Sequence, residues 1–214
     1  MVYMNSNIAV KQLNAIKKII NSWDELPQLA GSGWSEKWQT LIAIILSAQT
    51  RDTTTIRVCN KLFKKYRTPL ALSMASVKQI EKDISSVNYH KTKAQRIKET
   101  ASIIAEDGIG NNLEELAELP GVGRKTANVY LAEVYGEAAI GVDVHVARIS
   151  KKMGWTKNKY PDKIEEDLKK LFPKTQWNSV NSTLVSFGQT VGRSSEREDE
   201  ELDKIRQITQ YGNV

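Results

Sequence analysis

Cysteine is almost missing from this chain: 214 residues carry one, Cys59. A lone thiol excludes an intramolecular disulfide framework and any site built from several thiolates. Long apolar runs are missing too, the longest, Leu41 to Leu46, being far short of a bilayer crossing. The N-terminal segment puts its charges after its apolar residues and has no extended apolar stretch, so it does not read as a signal peptide. Strand patterning is scarce as well: no region shows several alternating apolar and polar runs bounded by hairpin turns. There is no low-complexity linker and no fixed-period repeat. A chain of this length buries roughly 70% of its extended surface on folding. With 40% hydrophobic and 26% charged residues, the expectation is a soluble, cytoplasmic, all-α protein of about ten short helices in one or two small domains.

What is present is mostly helical periodicity and positive charge. Leu13, Ile16, Ile20 and Trp23 share one helix face, and so do Ala94, Ile97, Ala101 and Ile104. Asp52 reads as the N-cap of a helix whose inward stripe is Ile56, Cys59, Phe63 and Tyr66. Leu41 to Ala48 is apolar on nearly all sides, the pattern of a central buried helix. The formal charge is +6, but residues 194–214 hold three basic against six acidic side chains, which leaves +9 on the remainder. Basic clusters recur at Arg57–Arg67, His90–Lys98 and Lys151–Lys159. Such runs are ordinarily solvated helix faces, and three of one sign also suit a polyanion partner. The acidic end reads as a solvated helix or a frayed terminus.

The informative stretch runs from Leu113 to Ser150. A short helix ends at Leu119, Pro120-Gly121-Val122-Gly123 forces a tight turn, and a second helix starts near Arg124. Proline cannot continue the first helix, and the glycines permit positive φ and close approach of another chain. The first N–H groups of the second helix have no intrahelical acceptor and suit a phosphate at the positive end of the dipole. Such main-chain contacts would hold DNA without reading its sequence. An ordinary turn between two helices has the same local pattern.

The run LPGVGRKTANV, followed by AIGVDVHVARIS and preceded by LIAIILSAQTRD and NYHKTKA, resembles the helix-hairpin-helix/Gly-Pro/Asp superfamily of base-excision DNA glycosylases. Within it the chain is most similar to endonuclease III, over roughly Leu13 to Gly192. The resemblance implies two helical domains flanking a DNA-binding cleft. One would be a bundle over residues 34–143 with the hairpin at 112–136, and the other would combine residues 1–33 with 144–214. It implies a monomeric glycosylase with AP-lyase activity, removing damaged pyrimidines from duplex DNA and associated with the nucleoid.

The resemblance also distributes roles. Lys125 stands where bifunctional relatives carry their catalytic lysine, which attacks C1′, displaces the base and forms a Schiff base before β-elimination cuts the strand. An ordinary lysine is almost wholly charged at neutral pH, and a helix N-terminus in a desolvated cleft disfavours that charge. Without the resemblance, Lys125 reads as a surface or phosphate-contacting lysine. Asp143 matches the family's catalytic aspartate, which stabilises the cationic sugar or assists deprotonation of the lysine; it also reads as an N-cap, and the two roles are compatible. Gln49 matches the wedge that enters the base stack when the target is extruded, or is a polar residue after a helix. Lys91 and Lys93 would face phosphate or simply be solvated, in a turn where Asn88 replaces the family's usual glycine. Gly121, Val122, Gly123, Arg124 and Thr126 complete the expected DNA contacts. The backbone carbonyls of Ala117, Leu119 and Val122 would hold a monovalent sodium or potassium ion. His145 reads as a structural hydrogen-bonding residue.

One departure stands out. Many relatives end with four cysteines on a [4Fe–4S] cluster, and here Gly192 occupies the place of the first while none follows, so no iron–sulfur cluster is expected. Two other readings compete. A monofunctional mismatch glycosylase for thymine, uracil or adenine commonly lacks the lysine, and the adenine enzyme needs a glutamate absent between Glu36 and Asp52. A non-catalytic hairpin module that merely binds DNA needs only the PGVG turn and does not require Lys125 together with Asp143.

Overall fold

The computed structural model describes residues 5–22 and 28–211, and among these every regular element is helical. In chain order the α-helices are α1 (Ser6–Asn21), α2 (Lys37–Ser47), α3 (Asp52–Lys65), α4 (Pro69–Met74), α5 (Val77–Asp83), α6 (His90–Asp107), α7 (Leu113–Ala117), α8 (Arg124–Tyr135), α9 (Val144–Lys152), α10 (Pro161–Leu171), α11 (Trp177–Thr190) and α12 (Ser195–Tyr211). Single 3-10 turns at Lys174–Gln176 and Val191–Arg193 flank α11. No helix among the described residues is long and apolar enough to cross a membrane. The chain divides into two compact units, Gln28–Glu137 and Met1–Pro27 with Ala138–Val214. Both breaks fall a few residues before 34 and 143. At the first, Trp34 Nε1 donates to the Ala30 carbonyl at 2.6 Å, and a Cβ on Gly31 would lie 2.9 Å from Ile44 Cγ1, so residues 30–34 are locked onto α2. At the second, Gly136 closes α8 in the left-handed conformation at φ +65°.

In the first of these units α2 is the centre. A capping box of Glu36 and Gln39 starts it, and Leu41 to Leu46 are all at most 3% exposed. Each such side chain is worth roughly 1.5–3 kcal/mol relative to exposure, so a helix apolar on all faces is stable only when surrounded. Helices α3, α6 and α8 pack on it, and Phe63 of α3 receives the edges of Trp34 and Trp38 at 5.0 and 5.1 Å. The predicted stripe of α6 (Ala94, Ile97, Ala101, Ile104) is buried. The stripe of α3 is rotated slightly: Thr55, Val58, Cys59, Leu62 and Phe63 are buried while Ile56 sits at its edge. Burial pushes the Cys59 thiol up to about 12, an inert core group. Asp52 does not cap α3; Arg51 occupies the cap position without a side-chain bond, and Asp52 is the first helical residue, where its charge still suits the dipole.

In the second unit α1 packs on α11 and α12, and α9 on α11. Leu13, Ile16 and Ile20 are buried as their spacing requires, whereas Trp23 lies outside the described residues. Trp155 meets Phe172 edge-on at 4.9 Å and donates from Nε1 to Gln12 Oε1 at 2.7 Å. The acidic end is not merely solvated: α12 buries Glu198, Leu202 and Ile205.

Candidate functional site

The hairpin lies in the unit of residues 28–137. Leu119 and Val122 are buried, and the Val122 N–H donates to the Leu119 carbonyl at 3.0 Å. Gly121 takes φ +83°, and a Cβ there would lie 3.1 Å from Arg96 Cδ and 3.3 Å from Ile45 Cγ2, so the turn needs glycine for conformation and for space. Thr100 Oγ1 donates to the Pro120 carbonyl at 2.9 Å and ties the turn to α6. Gly123 differs: a Cβ there would meet nothing within 4 Å, so the backbone is open where α8 begins. No side chain caps α8 at Gly123, whose carbonyl accepts the first intrahelical bond, from Ala127 at 3.0 Å. The first turn of α8 thus carries N–H groups that the helix cannot satisfy itself, the arrangement that attracts an anion. The Val122 carbonyl falls outside the same ladder.

Arg124 is exposed, Lys125 half-buried and Thr126 buried, so the side chain of Thr126 serves the core and only its backbone suits the expected contact. Sequence reasoning missed Arg96, the exposed residue packed against Gly121. A signal existed: Arg96 lies three residues after Lys93 in the His90–Lys98 cluster.

That cluster divides by face. Lys91 is exposed. Lys93, read as a phosphate contact, is instead 5% exposed, its ammonium donating to the carbonyls of Leu46 at 2.7 Å and Ala48 at 2.6 Å and to Thr50 Oγ1 at 3.3 Å. Desolvation, with Arg96 repulsion added, pushes its pKa down to about 8. Lys98 likewise caps α4, donating to the Ala75 carbonyl at 3.0 Å and to that of Ser73. The Lys93 partners frame Gln49, which is exposed and held at φ +56°, a conformation that non-glycine residues avoid. Asn88 closes the frame: its N–H donates to Thr50 Oγ1 at 3.2 Å and its Nδ2 to the Gln49 carbonyl at 2.5 Å.

Asp143 belongs to the other unit. Its Oδ1 accepts the Val146 N–H at 2.8 Å, capping α9. The extended segment leading to it is held by α11, where Asn178 Oδ1 accepts from the Ala139 N–H at 3.0 Å and Asn181 Nδ2 donates to the Gly141 carbonyl at 2.5 Å. The half-buried carboxylate therefore sits on a fixed backbone. His145 packs on Gly188, where a Cβ would strike its ring, and its Nδ1 lies 3.3 Å from Arg148 Nη2.

The same unit shows why an iron–sulfur cluster does not fit. A Cβ on Gly192 would collide with the Glu198 carboxylate and lie 2.7 Å from Arg148 Nη2. Glu198, 1% exposed, accepts from Arg148 Nε at 2.9 Å and Nη2 at 2.6 Å and from Lys152 Nζ at 2.8 Å. Lys152 thus turns inward, away from the basic run to which the sequence assigned it. Charged nitrogen and oxygen therefore fill the space around Gly192, where the resemblance would put the first cysteine, and the single thiol, Cys59, lies in the other unit.

Residues 42–174 match the family described as HhH-GPD superfamily base excision DNA repair protein. The chain belongs to that superfamily. Its similarity to endonuclease III of Thermotoga maritima is 41% identity over 160 residues, 73% of this chain and 75% of the relative. With endonuclease III of Bacillus subtilis it is 35% over 161 residues, 72% and 73% respectively. Among solved structures, a trapped endonuclease III–DNA covalent intermediate superposes with a TM-score of 0.80 at 29% identity, covering 91% of this chain and 90% of that one. A thermostable thymine-DNA glycosylase superposes with a TM-score of 0.78 at 20% identity, covering 92% and 95%, a likeness of fold alone. This HhH-GPD chain presents its hairpin, Lys125 and the α9 cap Asp143 in sequence order within the matched segment.

Proposed function

We propose that Lys125 is the nucleophile and Asp143 the assisting carboxylate of this chain, which is a base-excision DNA glycosylase and AP lyase of the endonuclease III type. The observation that carries the reading is the position of Lys125, half-buried on the first turn of a helix whose start is open and lacks a capping side chain. The N–H groups of that turn, at the positive end of the α8 dipole, would hold a phosphate of the damaged strand, which brings the amine toward the sugar. The uncharged amine attacks C1′, the N-glycosidic bond breaks, and the base leaves with its electron pair and takes up a proton. The amine sheds its own proton and the sugar ring opens, giving a Schiff base between Lys125 and C1′. Loss of a C2′ proton then expels the 3′ phosphate, and water releases the lysine.

Asp143 would stabilise the cationic sugar or take the proton from lysine, and its cap to Val146 fixes one carboxylate oxygen while the other is left for chemistry. Gln49 would fill the stack from which the base is extruded, with Arg96, Lys91 and Arg124 on the phosphates. The carbonyls of Ala117, Leu119 and Val122 would hold a monovalent cation beside the hairpin, where its charge adds to the pull on phosphate. The Val122 carbonyl lies outside the α8 ladder, and the Leu119 carbonyl, which accepts the Val122 N–H, keeps a second lone pair for such an ion. The protein would act as a monomer, on damaged pyrimidines in duplex DNA, and without an iron–sulfur cluster. Borohydride trapping on a thymine-glycol or abasic duplex tests the reading. A covalent adduct is expected with the native protein and none with Lys125→Gln. Undiminished trapping by that variant would remove Lys125 as the nucleophile.

A further inference from the structure

The buried ammonium of Lys93 is not explained by the chemistry at Lys125. Its backbone stands in the first turn of α6, the positive end of that dipole and a poor place for a cation. Its side chain crosses to the C-terminal end of α2, where the Leu46 and Ala48 carbonyls carry partial negative charge. The third donor direction goes to Thr50 Oγ1, the atom that also accepts the Asn88 N–H. Three bonds from one ammonium therefore span the residues before and after Gln49. Asn88 Nδ2 binds the carbonyl of Gln49 itself. Gln49 is fixed on both sides through its main chain while its side chain stays exposed. The adjoining α6 cap, Tyr89, also lies in the left-handed region at φ +59°. Two non-glycine residues in the left-handed region, linked through Asn88, persist only where their surroundings over-determine them.

We propose that Lys93 is a positioning residue, holding the Gln49 turn in its left-handed conformation so that the side chain is presented before DNA arrives. The inference rests on the reading of Gln49 as the residue that enters the base stack. Released from Lys93, the turn would relax toward ordinary backbone angles, and the insertion-competent population would fall by the factor that strain of this kind represents. Apparent activity falls in proportion to that population. A loss of about five- to thirtyfold is expected, the factor that corresponds to a conformational cost of one or two kcal/mol. The desolvated state of the ammonium, with its pKa near 8, accords with a cation that faces carbonyls rather than water.

The test uses the full chain and a duplex carrying thymine glycol opposite 2-aminopurine, whose fluorescence rises as the stack opens. In Lys93→Met, single-turnover excision and the fluorescence rise should slow together by about five- to thirtyfold. Introduced into Gln49→Ala, the same change should add no further loss, because the residue through which it acts is already gone. A general weakening of the fold would instead multiply with the Gln49 effect. Asn88→Ala, on an exposed residue whose loss does not threaten folding, should slow both signals in the same direction and carries the test if Lys93→Met does not fold. Native rates in Lys93→Met, native rates in Asn88→Ala where Lys93→Met does not fold, or losses that multiply with Gln49→Ala would overturn the role of Lys93 alone. A native protein that excises nothing and forms no borohydride adduct would overturn the enzymatic reading, and the role of Lys93 with it.

Discussion

Replacing Glu198 by glutamine should destabilise the unit of α1 and α9–α12 far more than a typical acidic residue in a charged C-terminal segment would. The carboxylate is 1% exposed and accepts three bonds at 2.6–2.9 Å from Arg148 and Lys152. Breaking a fully buried pair by removing one partner costs about 3–5 kcal/mol. Here the cations are 37% and 27% exposed at their side chains, so water can take over part of their solvation. The discounted expectation for Glu198→Ala is therefore about 2–3 kcal/mol, with glutamine at the lower end because its amide oxygen still accepts. For a chain of this size that lowers Tm by roughly 5–10 °C. Trp155 and Trp177 report on this unit, so urea unfolding followed by tryptophan fluorescence and thermal melting followed by circular dichroism both read it. A glutamine variant within about 0.5 kcal/mol of the native protein, the scatter of ordinary surface changes, would refute the reasoning.

The pH dependence has a definite sign. Burial pushes the Glu198 carboxyl up, but the bonds from Arg148 and Lys152 outweigh it, and the group titrates below the usual carboxylate range. A depressed folded-state pKa means that the contribution is complete above the unfolded value of about 4.3 and is lost as pH falls through the lower folded value. The native protein should lose stability on that acidic side more steeply than Glu198→Gln. The same geometry bears on a cluster at this corner: Gly192→Cys would drive a Cβ into the Glu198 carboxylate, so a cysteine here should lower the melting temperature of the unit.

Two further outcomes follow from the hairpin and the cap. Gly121→Ala should cost about 1–3 kcal/mol in urea unfolding, because φ is +83° and Arg96 and Ile45 crowd the new methyl, whereas Gly123→Ala, in open space, should leave unfolding within about 0.5 kcal/mol. Asp143→Asn should keep the cap to Val146 and the native melting temperature while slowing base excision; Asp143→Ala should slow excision and also lose about 1 kcal/mol of stability.

Local chemistry was legible in the sequence where the partner is a neighbour in the chain. Pro120 to Gly123 announces its own turn, the alternation of Ala94, Ile97, Ala101 and Ile104 announces a buried face, and Asp143 caps the helix it precedes. Apart from Asp52, where the helix start lies one residue earlier than the cap reading placed it, the misreadings share one cause, a partner that is distant in the chain. Lys91 and Lys93 were paired as phosphate contacts, yet residues two apart on a helix point some 200° away from each other and cannot serve one surface. One had to turn inward, and only the fold shows that the Leu46 and Ala48 carbonyls receive it. Glu198 was hidden in an acidic run. Its spacing of four and seven from Leu202 and Ile205 was a readable signal that it shares their buried face.

Lys93 and Glu198 together show how this member of the superfamily distributes charge. The basic clusters suggested a surface of one sign, but Lys93 and Lys98 are spent on the helix ends of α2 and α4, and Lys152 on Glu198. Of the nine residues from His90 to Lys98, only Lys91 and Arg96 keep an exposed cation. Net charge therefore overstates what is available to a polyanion. Under the proposed function, the positive field that DNA meets would come from residues at defined places, Arg96 against the hairpin and Arg124 beside Lys125, together with the main-chain N–H groups of α8, which no charge count includes. Neutralising Lys98 should for that reason leave the salt dependence of duplex binding unchanged, whereas neutralising Arg96 should reduce its slope by about one unit, measured as log affinity against log salt concentration. Equal effects from both substitutions would show that total charge, rather than its placement on α6, governs the interaction.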